Sequence, residues 1–467
     1  MDDSHSSQGR RSHCRISSRL SEPPLSPQSF QGVNTNEPQV HDTDDYTIQR
    51  SIPICTPTLP MPLSSRPLSS SLTTPKPSLM FAIASDDVQQ VRQVLECGEA
   101  SPNDNAGPQS ALAFAITNNQ LSQRLEIVKT LLAFGADTSS LHKELETTHG
   151  ADAKSSASAL DQMDAATRYY ISRTDAVLTR SSSTLIQRSS FRPLARIRFG
   201  VVGQDRALEQ LFRVLSIHNN QKATVPIVIL LCGPSGHGKS LLAQKFGPLL
   251  DVPTHTVNMT TLRSAHDLWQ SYSISPYQDG SPCTLVEFLI NNEGKRCVVV
   301  LDEIEKTQNP SVLWSLLLPW ELGRCSFEAN TMNIDVHNTI WLGTSNIGQD
   351  LVFEYHESLK HPEKVMSREE YVKLMSLLRP RVSERLGSSI LSRVTTILPF
   401  VPFTLDETRA IASEALQSIS GDVMKDMPSQ VLTSVIEGAV LGSIPSEGAR
   451  SLYRAVSNLL VDAMDLV

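Results

Sequence analysis

Paired cysteines, long apolar runs and an excess of positive charge are all missing from this 467-residue sequence. Its seven cysteines (Cys14, Cys55, Cys97, Cys232, Cys283, Cys297, Cys325) are odd in number. They have neither Cys-x-x-Cys spacing nor paired histidines nearby, so they read as reduced thiols rather than a disulfide or zinc framework. The most apolar stretches, PIVILLC at 226–232 and CVVVL at 297–301, fall far short of the roughly 20 residues that a membrane helix needs. No membrane partner is expected. Lys and Arg number 41 against 49 Asp and Glu, a formal charge of -8, so no basic field recruits nucleic acid, and none is expected as a partner. The N-terminus, MDDSHSSQGRRSHCRISSRL, lacks an apolar core segment, which predicts no secretory leader. The cytosol is the expected compartment. A mitochondrial address is the alternative, because the same stretch is rich in Arg and Ser.

What is present is strongly zoned. The length calls for two or three folded units with linkers. Residues 1–78 hold 11 prolines and 16 serines, a composition that cannot bury enough apolar surface to offset chain entropy, and a disordered tail is expected. From residue 79 an internal repeat appears: Leu79, Phe81, Ala82 and Ile83 recur at Leu112, Phe114, Ala115 and Ile116, and Val91, Leu95 and Gly98 recur at Val128, Leu132 and Gly135. Each copy reads as a short helix, a turn, a longer helix and a terminating glycine, the signature of stacked helical hairpins. Residues 142–195, rich in Ser and Ala with a helical pattern near SALDQMDAATRYYISRTDAVL, read as a helical linker in which Tyr169 and Tyr170 carry no assigned chemistry. Beyond it, apolar β runs alternate with helical segments, which implies an α/β fold: a parallel sheet with helices on both faces.

The chemistry lies in that last zone. Residues 233–240 read Gly233-Pro234-Ser235-Gly236-His237-Gly238-Lys239-Ser240, a GxxxxGK[ST] loop between an apolar strand and a helix. In such a P-loop, backbone N–H groups and a helix N-terminus face phosphate oxygens, the lysine neutralises the β and γ phosphates, and the serine ligates Mg²⁺. ATP and Mg²⁺ are therefore the expected cofactors. The strand at 297–303 delivers Asp302 and Glu303 at its C-terminal end, where open α/β sheets bind ligands. Asp302 is expected in the Mg²⁺ shell and Glu303 as the base for an attacking water. A third strand, Thr339–Leu342, leads to Asn346, placed to orient the same water.

With those motifs in view, residues 200–454 resemble an AAA+ module of the Clp family, most closely the second ATPase domain of ClpB-type disaggregases. The stretches that carry the likeness are VVGQDRALEQL, GPSGHGKS, VVVLDEIEK, TSNIG, LSRVTTILPFVPF and GAR. The repeat resembles an ankyrin pair, as in ankyrin-bearing ClpB homologues of eukaryotes. The resemblance implies a large ATPase domain over 196–402 and a small helical lid over 403–467, after ankyrin repeats over 79–141. It assigns Val201 and Val202 to adenine contact, Arg393 to an arginine finger acting on a neighbouring subunit, and Arg450 to a phosphate contact in cis. It also implies protein unfolding or disaggregation by a homo-oligomeric, hexameric ring, with misfolded or aggregated proteins as clients and a further protein partner on the ankyrin repeats. The alternative is an ankyrin interaction protein whose ATPase is a nucleotide-gated switch.

Three departures accompany the likeness. The pore-loop region reads Tyr272-Ser-Ile274-Ser-Pro-Tyr277-Gln-Asp-Gly instead of Gly-Tyr-Val-Gly. The stretch before Arg393 is longer than usual. The lid is expected to lack its last strand. No Ile-Gly-Phe tripeptide for docking to a peptidase chamber occurs.

Overall fold

The computed structural model describes residues 79–106, 109–118, 120–139, 141, 163–220, 225–273, 283–327, 332–420 and 427–464. The serine- and proline-rich segment 1–78 lies outside these residues, and so do Ile274 and Tyr277.

Two helix pairs come first, Leu79–Ala84 with Val88–Glu96 and Ala111–Thr117 with Arg124–Ala133. Between them β1 (Asn105–Ala106) pairs antiparallel with β2 (Gln109–Ser110). Asp87 caps the second helix through the Gln89 and Gln90 N–H groups, and Ser110 caps the third through Ala113 N–H, each satisfying donors that a helix start leaves open. The Asp86 carboxylate accepts from the N–H groups of Ser122 (2.8 Å) and Gln123 (2.9 Å), which ties the two pairs together.

The central sheet runs β4-β5-β8-β3-β9, all parallel, from β3 (Ile227–Cys232), β4 (Thr254–Asn258), β5 (Cys297–Asp302), β8 (Thr339–Ser345) and β9 (Thr396–Pro399). A separate hairpin joins β6 (Arg324–Phe327) to β7 (Met332–Asp335). The three inner strands are buried along almost their whole length because both faces are covered, whereas the edge strand β4 alternates buried and half-buried positions. Strand period two sorts the sheet's side chains. Ile227, Ile229 and Leu231 pack with Leu208, Phe212 and Phe246 from helices 205–220 and 239–250. Val228, Leu230 and Trp341 face the other way, onto Leu289, Trp320 and Leu378.

A separate apolar core joins the two ends of the described chain. Leu79, Leu112, Val128 and Leu131 share it with Ala412, Leu416, Val456 and Leu460, which belong to the C-terminal helices Leu405–Ser420 and Ala449–Met464. Helix Ala165–Asp175 is wedged between helices 124–133 and 405–420 and adds Ala166, Tyr170 and Ile171 to that core. The described part of the segment read from sequence as a connector, residues 163–195, is thus packed structure. A 3₁₀ helix, Arg192–Phe199, runs straight through the position of the expected 195/196 boundary. No helix among the described residues is long and apolar enough to cross a membrane.

Candidate nucleotide site

At the C-terminal ends of β3, β5 and β8 the chain turns around a cavity of about 240 Å³ lined by Val201, Val202, Ser235, Gly236, Gly238, Lys239, Ser240, Glu303, Asn346 and Arg450. These residues span 250 positions of sequence and were all assigned from motif or resemblance. The loop leaves β3 at Gly233, and Gly238 precedes helix Lys239–Leu250, so its N–H groups and the helix N-terminus face the cavity. Lys239 Nζ donates to Gly233 O (2.8 Å), Pro234 O (2.7 Å) and Asn346 Oδ1 (2.9 Å). Burial lowers its pKa to about 8, against the opposing pull of Cys232, Glu305 and Asp302. The Ser240 hydroxyl donates to Asp302 Oδ1 at 3.1 Å, and Thr344 Oγ1 donates to the same oxygen at 2.6 Å.

Glu303 follows in a left-handed conformation at φ 56°, uncommon for a residue with a side chain, and its N–H is taken up by Thr344 Oγ1 at 3.0 Å. Asn346 N–H donates to Glu305 Oε1 at 2.9 Å, so a third carboxylate, from the 3₁₀ turn Ile304–Lys306 that follows β5, holds the backbone at the asparagine. His237 stacks on Phe403 with ring centroids 4.9 Å apart and meets Phe353 edge-on. Burial pushes its pKa down to about 4, so the ring is neutral and Nδ1–H donates to Ser235 O at 2.7 Å.

The C-terminal helices close the cavity. Arg450 Nη1 donates to Ser235 Oγ at 2.8 Å, and Ala449 N–H to Gly236 O at 3.0 Å. Gly236 sits at φ 76°, and a Cβ there would lie 1.9 Å from Glu447 O, so only glycine permits this approach. Sequence reading missed Phe403, Ile411, Glu414 and Tyr453 on this wall. None has a local motif, although Phe403 closes the quoted LSRVTTILPFVPF stretch. Thr344 was also missed, although it stands two residues before Asn346.

Arg393 is the assigned residue that the fold keeps away from the cavity. Its guanidinium pairs with the Glu321 carboxylate and donates to Ser389 O at 2.6 Å. In the pore-loop region Tyr272 is exposed and forms an isolated antiparallel bridge with Thr284.

Comparison with known proteins agrees with this geometry. Residues 228–361 match the AAA domain of the dynein-related subfamily. The ClpA homolog of Porphyra purpurea, an ATP-dependent Clp protease ATP-binding subunit, is 26% identical over 281 residues, covering 56% of this chain and 33% of that protein. The chloroplastic chaperone protein ClpD1 of Oryza sativa subsp. japonica is 26% identical over 280 residues, covering 57% of this chain and 29% of that protein. A solved structure of Hsp104 with ATPγS and FITC-casein aligns with a TM-score of 0.45 at 18% identity, over 84% of this chain and 65% of that one. The chain spans about a third of the length of the curated relatives it matches. Residues 228–361 are thus an AAA domain, and the comparisons indicate a nucleotide-binding ATPase. Over somewhat more than half of its length the chain is similar to Clp proteins such as the two named above.

Proposed function

We propose that this chain is an ATP-dependent protein unfoldase or disaggregase that works as a homo-oligomeric, hexameric ring on misfolded or aggregated proteins. Residues 79–141 act as two ankyrin repeats that recruit a protein partner, residues 196–402 form the large ATPase domain and residues 403–467 its lid. The observation that carries the reading is the convergence of Lys239, Ser240, Asp302, Glu303, Asn346 and Arg450 around one cavity. The chaperone names of relatives such as ClpD1 support the client class.

In this mechanism the loop N–H groups and Lys239 hold the phosphates, Lys239 exchanging the Gly233 and Pro234 carbonyls for phosphate oxygens. A serine hydroxyl and one carboxylate 3.1 Å apart suit Mg²⁺, which takes few protein ligands and completes its shell with phosphate and water oxygens. Among the described residues no cluster of three His, Cys, Asp or Glu offers a full protein cage. Ser240 and Asp302 would hold the ion, which would supply positive charge to offset the charge of the phosphates. Glu303 takes the proton from the attacking water, and Asn346 orients that water. Arg450 meets the phosphates from the lid. Arg393 leaves Glu321 to act on the nucleotide of the next subunit, where a trans arginine meets charge developing in the transition state. The compartment proposed is the cytosol, with the mitochondrion as alternative; ClpD1 is chloroplastic by name.

A second reading, a nucleotide-gated switch without threading, is favoured by the apolar core that residues 79–133 share with the lid. ATP turnover measured against protein concentration, with an unfolded model protein added or omitted, separates the two. Turnover that rises with concentration, is stimulated by the unfolded chain and is lost in Glu303→Gln and Arg393→Ala is the expected result. Binding with negligible turnover and no response to the unfolded chain would sink the unfoldase and promote the switch.

A further inference from the structure

The turn at residues 200–204 carries Val201 and Val202 on the cavity wall, yet little within the turn itself holds it in place. Gln204 sits at φ 59° and its side chain exchanges two hydrogen bonds with the Val401 backbone, at 2.8 and 3.0 Å. Gly203, at φ 68°, is pressed against the lid, where an added Cβ would meet Glu407 Cδ at 2.9 Å. The remaining wall is helix 165–175. Its Arg173 is almost wholly buried and spreads its guanidinium across the turn. Nη1 donates to Arg198 O (2.8 Å) and Val201 O (2.9 Å), and Nη2 to Gly203 O (2.8 Å) and Asp205 Oδ1 (2.7 Å). From the preceding turn of the same helix, Tyr169 Oη accepts the Gly203 N–H at 2.9 Å.

Such an array is expensive to bury and specific once made. A planar fork with five donors matches three carbonyls and a carboxylate in a way that no ammonium can. Burial opposes the Arg173 charge, and the Asp205 carboxylate more than restores it, holding the pKa above its ordinary value. The Tyr169 hydroxyl is kept protonated, burial pushing its pKa up.

We propose that helix 165–175 is a working part of the nucleotide site, with Arg173 and Tyr169 as positioning residues that set the Val201–Gly203 turn against the base of ATP. The inference rests on the nucleotide reading and goes beyond it. It places a determinant of base affinity in a segment that precedes the AAA domain. Loss of either contact frees the turn, and the effect falls on the base and not on the phosphates, which are held from β3, β5 and β8.

The test uses the full chain and two probes, ATP and inorganic tripolyphosphate, which has no base. In Tyr169→Phe the KM for ATP rises about fivefold, the scale of one neutral hydrogen bond, while inhibition by tripolyphosphate stays at the wild-type value. Arg173→Lys keeps the charge beside Asp205 but loses the fork, and raises the KM for ATP about tenfold or more with the same indifference to tripolyphosphate. If Arg173→Lys fails to fold, as a thermal melt would report, Tyr169→Phe decides the matter alone. An unchanged KM for ATP, or equal weakening of both probes, overturns the proposal while leaving the nucleotide site intact. A wild-type chain that binds neither probe overturns the nucleotide reading, and this inference with it.

Discussion

On the phosphate side of the cavity, the loop Ser235–Ser240, Asp302, Glu303 and Asn346 come from three strands adjacent in the sheet, each delivering its residues within a few positions of its C-terminal end. The base side draws on helix 165–175, the turn at 200–204 and the C-terminal helices 405–420 and 449–464, which touch only because distant parts of the chain pack together. The chemistry of phosphate explains the contrast. A phosphate needs many N–H donors pointing one way, and a glycine-rich loop running into a helix provides them from consecutive residues. A base needs a shaped apolar wall, which any set of well-packed side chains can supply.

The sharpest break in the comparison would come where the two sides meet. Gly236→Ala forces a left-handed alanine into the Glu447 carbonyl, and we expect ATP affinity to fall on the order of 100-fold, measured by titration with a fluorescent nucleotide. Wild-type affinity in this variant would mean that the lid does not sit on the loop.

Next in size is the contact that links the repeat helices to the lid. Lys129 Nζ donates to Glu414 Oε1 at 2.9 Å and to Glu126 Oε1 at 2.8 Å, and Tyr170 Oη donates to the same Glu414 oxygen at 2.7 Å. Burial works against the Lys129 charge, and the two carboxylates raise its pKa in spite of it. Lys129→Met leaves Glu414 without its cation and should cost about 2 kcal/mol in denaturant unfolding. A double-mutant cycle with Glu414→Gln should recover part of that loss. Additive effects would show that the pair carries no coupling.

Titration should sharpen the phosphate side of the comparison. Burial depresses both His237 and His255 from an ordinary 6.5 to about 4, so both are neutral in the fold. Between those two values the unfolded chain takes up protons that the folded chain refuses. Stability is therefore full above about pH 6.5 and declines as pH falls towards 4, as urea midpoints at stepped pH would record. At the other end, Lys239 with a pKa near 8 must be charged to hold phosphate. ATP affinity should weaken as pH rises past that value, with proton uptake on binding measurable in buffers of different ionisation enthalpy. A flat profile between pH 7 and about 9 would contradict the depressed lysine.

The smallest effect is expected at the surface pair of Arg393 and Glu321. Glu321→Ala should change stability by no more than about 0.5 kcal/mol, because a solvated ion pair gains little. A larger loss would mark Arg393 as a structural residue of its own subunit and argue against its acting on a neighbour.

The same contrast accounts for what sequence reading reached. Lys239, Ser240, Asp302, Glu303 and Asn346 were legible because strand, turn and helix signals fix a P-loop locally, and the alternation of apolar runs with helices gave the parallel sheet. Val201 and Arg450 were reached by resemblance and do line the cavity. Glu414 and Tyr453 were not legible, because each lies on an amphipathic helix where its role depends on which helix packs opposite. Tyr169 and Arg173 were passed over for the same reason. A connector rich in Ser and Ala gives no sign in sequence that one of its arginines ends up beneath a turn some thirty residues on.

The bond between Lys129 and Glu414 closes a loop of 285 residues. On the ribosome, at roughly 5–20 residues per second, the second partner is made about 15–60 s after the first. During that interval the apolar face of helices 79–133 lacks its later partners, and Lys129 has Glu126 beside it but not Glu414. That face is therefore expected to stay uncovered on the ribosome until helices 405–420 and 449–464 have been made.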